Sequence, residues 1–63
     1  MIEDLIHMIK EYEDSLKFEF DYMDTLGVEE DIEEIDECAK RIVYYQEEIR
    51  QCCKSIEVLA RLN

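Results

Sequence analysis

The sequence predicts an all-α protein, an antiparallel hairpin of two helices at about residues 2–26 and 29–62. Three observations support this prediction. Apolar residues recur at steps of three and four along nearly the whole chain, Gly27 is the only glycine, and there is no proline. At 63 residues the chain forms one domain at most, so we expect a single domain over residues 1–63.

The first helix is predicted by a heptad row of apolar residues in which Glu19 is the only polar member. The apolar members are Ile2, Leu5, Ile9, Tyr12, Leu16, Met23 and Leu26. Residues 17–22 alternate polar and apolar side chains as a strand would, but a lone strand has no strand to pair with, so the helix is favoured. We expect Gly27 to end this helix in a left-handed conformation.

The second helix is predicted to begin near Glu29, because acidic residues fill its first turns and Arg50, Lys54 and Arg61 lie near its other end, as the helix dipole favours. Its seam consists of Ile32, Ile35, Ala39, Ile42, Gln46, Ile49, Cys53, Ile56 and Ala60. A flanking row, Cys38, Tyr45, Cys52 and Leu59, widens this apolar face. A face this wide is typical of a multi-helix bundle.

The two predicted helices are unequal, at about 25 and about 34 residues, or roughly 37 Å and 51 Å at the helical rise. Counting outward from the turn places Ile2 opposite about Cys53. The residues beyond that point, which have no expected partner in the chain, are Ile56, Leu59, Ala60 and Leu62. A two-helix hairpin also leaves half of each seam exposed, so the sequence predicts a homodimer that forms a four-helix bundle.

The charge distribution predicts how the two copies are oriented. The net charge is −11, and residues 18–39 contain ten acids and no base. Docking turn to turn brings like charges together, whereas docking head to tail places each acidic turn beside the basic end of the other copy. Glu19 and Gln46 are the polar members of the two seams, and two interpretations stay open: both lie half-exposed at the rim, or Glu19 of one copy forms a hydrogen bond with Gln46 of the other. The full expected dimer interface is Glu19, Gln46, Ile49, Cys53, Ile56 and Leu59.

The predicted architecture resembles that of the plasmid copy-control Rop family, which are short helical hairpins that also dimerise. The resemblance implies a fold and not a function, because the sequence has none of the basic RNA-contacting pattern of that family.

The sequence contains no combination of residues expected to carry catalysis. His7 is the only histidine, and it projects to the polar side of the first helix. Asp4 and His7 form only half of a di-iron bundle motif, Ser15 and Ser55 are isolated, and no glycine-rich phosphate loop is present. We therefore expect no enzymatic activity, no metal and no cofactor.

Three cysteines, Cys38, Cys52 and Cys53, are an odd number, and two of them are adjacent, so they do not form a disulfide framework. We interpret them as small apolar side chains in a reducing compartment. Residues 1–4 lack the basic region of a signal peptide, and no apolar run is long enough to span a membrane. These features predict a cytoplasmic protein.

Exposed aromatic and acidic residues form the candidate partner-binding site. Aromatic residues are enriched in the energetic centres of interfaces, and carboxylates along a helix resemble a row of phosphates. The candidate residues are Phe18, Asp21, Tyr22, Glu29, Glu30, Glu33, Glu34, Glu37 and Tyr44. Two alternatives remain open: Phe18 and Tyr22 complete a wide core, and the acids form an ordinary solvated helix face.

The sequence thus favours a small, acidic, non-enzymatic inhibitor or regulator that binds a basic, nucleic-acid-binding surface of another protein. At a net charge of −11 the chain is repelled by nucleic acids and by anionic membranes. Such proteins are common products of phages and mobile elements, where the target is a host nuclease, a defence complex or a polymerase. The alternatives are an assembly subunit that docks through its apolar C-terminal helix and an acidic antitoxin.

Overall fold

The computed structural model describes residues 1–62, which form two antiparallel helices, α1 (Ile2–Asp24) and α2 (Ile32–Leu62). The predicted all-α hairpin is confirmed, and so is the helix over residues 17–22. The hairpin is a rod of 52 × 14 × 10 Å. Its radius of gyration is 15.0 Å, compared with about 11 Å for a compact chain of this length.

The predicted face of α1 is the face that packs on α2, since its apolar members are half-buried and Glu19 is buried. On α2 the packed face lies one row away from the predicted seam. It combines the row Ile35, Ile42, Ile49 and Ile56 with the flanking row Cys38, Tyr45, Cys52 and Leu59. The row Ile32, Ala39, Gln46, Cys53 and Ala60 is exposed, because a single neighbouring helix covers only two of the three apolar rows.

The connection between the helices differs from the prediction. No residue in the described part of the chain has a positive φ, so the left-handed Gly27 predicted from the sequence is wrong. Instead, Asp31 closes the connection: its Oδ2 accepts a hydrogen bond from the Gly27 amide at 2.9 Å, and its own amide donates to the Gly27 carbonyl at 2.9 Å. The Asp31 carbonyl then accepts the amide of Ile35 at 2.9 Å, which starts α2.

A longer connection also shifts the alignment of the two helices. Because α1 ends at Asp24 and α2 begins only at Ile32, each residue of α1 lies opposite a residue about one turn further along α2 than the sequence predicted. Ile56 and Leu59 are half-buried against the start of α1. The expected overhang is therefore wrong for Ile56 and Leu59, whereas Ala60 and Leu62 are exposed, as the sequence predicted.

Candidate functional site: a polar edge with exposed aromatic rings

Three hydrogen bonds between the helices run along one edge of the hairpin, which we call the polar edge. The Tyr12 hydroxyl donates to Glu48 at 3.4 Å, Arg41 Nε donates to Glu19 at 2.6 Å, and the Tyr22 hydroxyl donates to Glu34 at 3.2 Å. On α2 the members of these pairs are seven residues apart, so they share one row of the helix. The polar edge is thus a regular feature of the hairpin.

Glu19 is the only buried charged side chain among residues 1–62, at 7% exposure. Its carboxylate binds Arg41, and the Cys38 thiol donates to its backbone carbonyl at 3.3 Å. The hydrogen bond to Glu19 raises the pKa of Arg41 above its ordinary value. A buried carboxylate without a cation is strongly destabilising, so Arg41 allows Glu19 to occupy the seam.

The Arg41 pairing bears on the hydrogen bond expected between Glu19 and Gln46 of another copy. Gln46 belongs to the exposed row on the opposite side of α2, whereas Glu19 already has a partner within its own chain. The hydrogen bond between copies stays a prediction, and Arg41 competes with it for Glu19.

Arg41 lay outside the site predicted from the sequence. The signal for it was Glu19 itself, since a carboxylate in an apolar seam requires a cation at its own level.

Tyr22 belongs to the polar edge, and Phe18 lies one turn before it on α1. Phe18 is 70% exposed and, with Ser15 and Tyr45, lines an open groove. The Glu34 carboxylate, through its hydrogen bond and its negative charge, raises the pKa of the Tyr22 phenol above the ordinary 10.0. Within one chain Phe18 is not part of the core, and Tyr22 is held in place by an acid of α2.

Tyr44 is held by ring contacts rather than by hydrogen bonds. It is 55% exposed, and its ring meets Tyr45 edge-on, with centroids 5.5 Å apart and planes at 64°. Tyr45 in turn lies 6.0 Å from Tyr12 across the hairpin. Tyr44 therefore presents an exposed ring that packs on Tyr45, and this contact reduces the entropy lost on binding.

The acids near the turn fall into two groups. Some have partners: Asp36 and Glu37 bind Lys40 at 3.1 and 3.6 Å, and Asp36 raises the pKa of Lys40. Others have no cation within 4 Å among the described residues, and all of them are exposed. This second group is Asp21, Asp24, Glu29, Glu30, Glu33 and Glu34. The turn end therefore presents carboxylates available for an outside partner.

We expect the hairpin to lose stability as the pH rises above about 10. Partial burial and the Glu48 charge raise the pKa of Tyr12 above 10.0, as Glu34 does for Tyr22. The folded state thus holds these protons more tightly than the unfolded chain. Their stabilisation is complete below pH 10 and is lost as the pH rises through the folded pKa values; the raised pKa of Lys40 acts in the same direction from 10.5.

Urea unfolding at several pH values from about 9 upward measures this effect, because the slope of stability against pH reports the difference in bound protons. Tyr22→Phe removes one of the titrating phenols, so the decline should become shallower. Tyr45→Phe, whose hydroxyl has no hydrogen bond within residues 1–62, is the matched control. Equal slopes in the two variants would contradict the role given to the Tyr22–Glu34 bond.

The described residues contain no group of three or more His, Cys, Asp or Glu side chains arranged to hold a metal ion. His7 lies at the surface, where its Nε2 is 3.1 Å from Glu11. Neither α1 nor α2 is long and apolar enough to cross a membrane. Comparison of the chain with protein-family models, curated proteins and solved structures finds no match.

Proposed function

We propose that this chain is a non-enzymatic inhibitor or regulator that binds a basic, nucleic-acid-binding surface of another protein. The observation that carries the proposal is the turn end, where exposed acids without cationic partners lie close to the exposed rings of Phe18 and Tyr22. Carboxylates attract a basic surface and set the orientation on it, while aromatic rings supply contact energy once water is excluded.

The position of the acids favours this proposal over a purely solubilising role. Ten of the 18 acids lie within residues 18–39, and all seven bases lie outside that segment. Like charges held together repel one another, so a chain that needed only solubility gains nothing from concentrating them. A target with a complementary basic channel offsets that repulsion on binding.

We also propose that the chain acts in the cytoplasm as a head-to-tail homodimer that forms a four-helix bundle. Support comes from the large exposed apolar surface of the single hairpin, on which twelve large hydrophobic side chains are exposed among residues 1–62. A head-to-tail dimer carries an acidic turn at each end, so it presents two copies of the binding site. In this proposal the protein uses no cofactor and binds neither nucleic acid nor membrane directly.

The proposal predicts that Glu33, Glu34 and Glu37, all changed to Gln, bind the basic partner at least tenfold more weakly while the melting temperature stays the same or rises. The partner is first captured from host lysate at low salt, and its affinity is then measured with purified proteins in a salt series. The control changes Glu3, Glu11 and Glu47 to Gln. It alters the net charge equally but lies away from the turn, so its affinity should change by no more than about threefold.

Equal losses in the two triple variants would reject a localised acidic site. A partner whose affinity is insensitive to salt would favour the assembly-subunit alternative. One observation supports that alternative: Met1, Leu5, Val58 and Leu59 line an apolar groove of about 560 Å³ at the open end. Capture of a basic toxin neutralised by the chain would instead identify it as an antitoxin.

A further inference from the structure

The edge opposite the polar edge is lined by exposed apolar side chains. The exposed row of α2 lies two positions before the row of Glu34, Arg41 and Glu48, and is therefore about 160° away around the helix. On α1, Phe20 lies two positions before Tyr22. It therefore projects to the same side of the hairpin as the exposed row of α2. Together with Ile6, these side chains define what we call the apolar edge. Its members are Ile6, Phe20, Ile32, Ala39, Cys53 and Ala60, with Gln46 at the middle.

The exposed area of the hairpin shows how much surface is left to cover. The chain exposes 5132 Å², whereas a compact monomer of this mass exposes about 4300 Å². The difference is about 800 Å², the area that each partner loses in a protein–protein interface of standard size. Three large side chains of the apolar edge contribute to this exposed surface, with Ile32 67% exposed, Phe20 48% and Ile6 43%.

We propose that the apolar edge binds a second copy of this chain in antiparallel orientation, with α1 against α1 and α2 against α2. This inference rests on the homodimer proposed above and specifies its face and its alignment. Charge selects the orientation. The seven acids in residues 29–39 of each copy then lie beside residues 50–62 of the other, which contain three bases and one acid.

The spacing of the apolar residues fixes the alignment. In the exposed row of α2, residue 46 is the midpoint between 39 and 53 and between 32 and 60. On α1, residue 13 is the midpoint between Ile6 and Phe20. Tyr12 and Glu48 are hydrogen-bonded, so residues 13 and 46 lie at nearly the same level of the hairpin. A single twofold axis at that level therefore relates α1 to α1 and α2 to α2 of the two copies.

Around this axis each side chain meets one of suitable size. Ile32 of one copy faces Ala60 of the other, Ala39 faces Cys53, and Ile6 faces Phe20. Gln46 faces its own copy, and a pair of glutamines on the axis can exchange hydrogen bonds and penalise other alignments, as buried polar residues do in coiled coils. The polar edge, with Phe18 and Tyr22, stays free for another protein.

Cysteine cross-linking tests the alignment without disturbing the fold. With oxidised glutathione as oxidant, Ala39→Cys should form a covalent dimer through Cys53 of the other copy, at least tenfold faster than Val58→Cys does. Val58 is 56% exposed but lies off the apolar edge, so it measures random collisions of two exposed thiols. Adding Cys53→Ser to Ala39→Cys should abolish the product. Equal rates for Ala39→Cys and Val58→Cys would overturn the proposed alignment.

Light scattering of Phe20→Glu provides a second measurement. The variant should keep its helical circular dichroism but become monomeric at a concentration where the wild-type chain is a dimer. Its affinity for the basic partner per chain should be unchanged. The Glu33, Glu34, Glu37 triple variant, which keeps the apolar edge and four of the seven acids in residues 29–39, should still dimerise and lose the partner. A monomeric wild-type chain, or a Phe20→Glu variant that still dimerises, would overturn the inference without touching the proposed inhibitor function.

Discussion

Replacing Ile42 with alanine is expected to lower the free energy of unfolding by about 2–4 kcal/mol, the usual cost of truncating a large buried side chain. Ile42 is 8% exposed and, with Cys38 and Cys52, is one of three buried apolar residues in the described chain. A domain this small derives only about 3–5 kcal/mol from its core. Much of the Ile42→Ala protein should therefore be unfolded, which circular dichroism and urea titration measure directly.

Val28→Ala is the control, because Val28 lies in the connection and is 78% exposed. Its effect should stay within about 0.5 kcal/mol. Ile49→Ala should fall between the two, since Ile49 is half-buried on the packed face. If the unfolding midpoint responded as strongly to Val28 as to Ile42, the packed face of α2 would be misassigned.

Reversing the charge of Arg41 is the second change with a large expected effect. Arg41→Glu should lower the melting temperature by about 10 °C, because it replaces the cation paired with a buried carboxylate by a second carboxylate. Glu19 is 7% exposed and so gains little help from water. Thermal unfolding followed by circular dichroism measures the loss.

The matched control is Arg50→Glu, which makes the same charge change at an exposed site where the nearest acid, Glu47, is 3.8 Å away. An exposed pair of this kind contributes little, so only a few degrees are expected. Changing both Glu19 and Arg41 to Met should restore most of the stability, since buried ion pairs are often replaceable by apolar side chains. Equal melting temperatures for the two Arg→Glu variants would show that the Glu19–Arg41 pair is not structural.

The sequence predicted the helices and the packed face of α1 well, because on α1 the heptad row is clearly defined. On α2 three adjacent rows are apolar, and the pattern cannot indicate which two a single neighbour covers. Two residues show the outcome. Ile32 belonged to the predicted seam but is exposed, whereas Cys38 belonged to the flanking row but is buried. The missing information was the position of the neighbouring helix.

The turn and the Glu19–Arg41 pair were missed for a related reason. Gly27 offered a left-handed helix end, but hydrogen bonds from Asp31 close the connection with Gly27 at negative φ. The resulting length of the connection sets which residues lie level, and so brings Arg41 beside Glu19. By contrast, the exposure of Asp21, Glu33, Glu34 and Glu37 follows from helical periodicity alone. The Asp36–Lys40 pair could also be predicted from the sequence, since its members are four residues apart on one helix.

The small number of buried side chains has a consequence for how this sequence can change over evolutionary time. Only Glu19, Cys38, Ile42 and Cys52 are buried among the described residues. The fold therefore constrains few positions tightly, and most of the surface is free to drift. Where related chains keep the same residue at an exposed position, the hairpin itself does not require it. Such positions on either edge would then record the molecules that the chain has had to recognise.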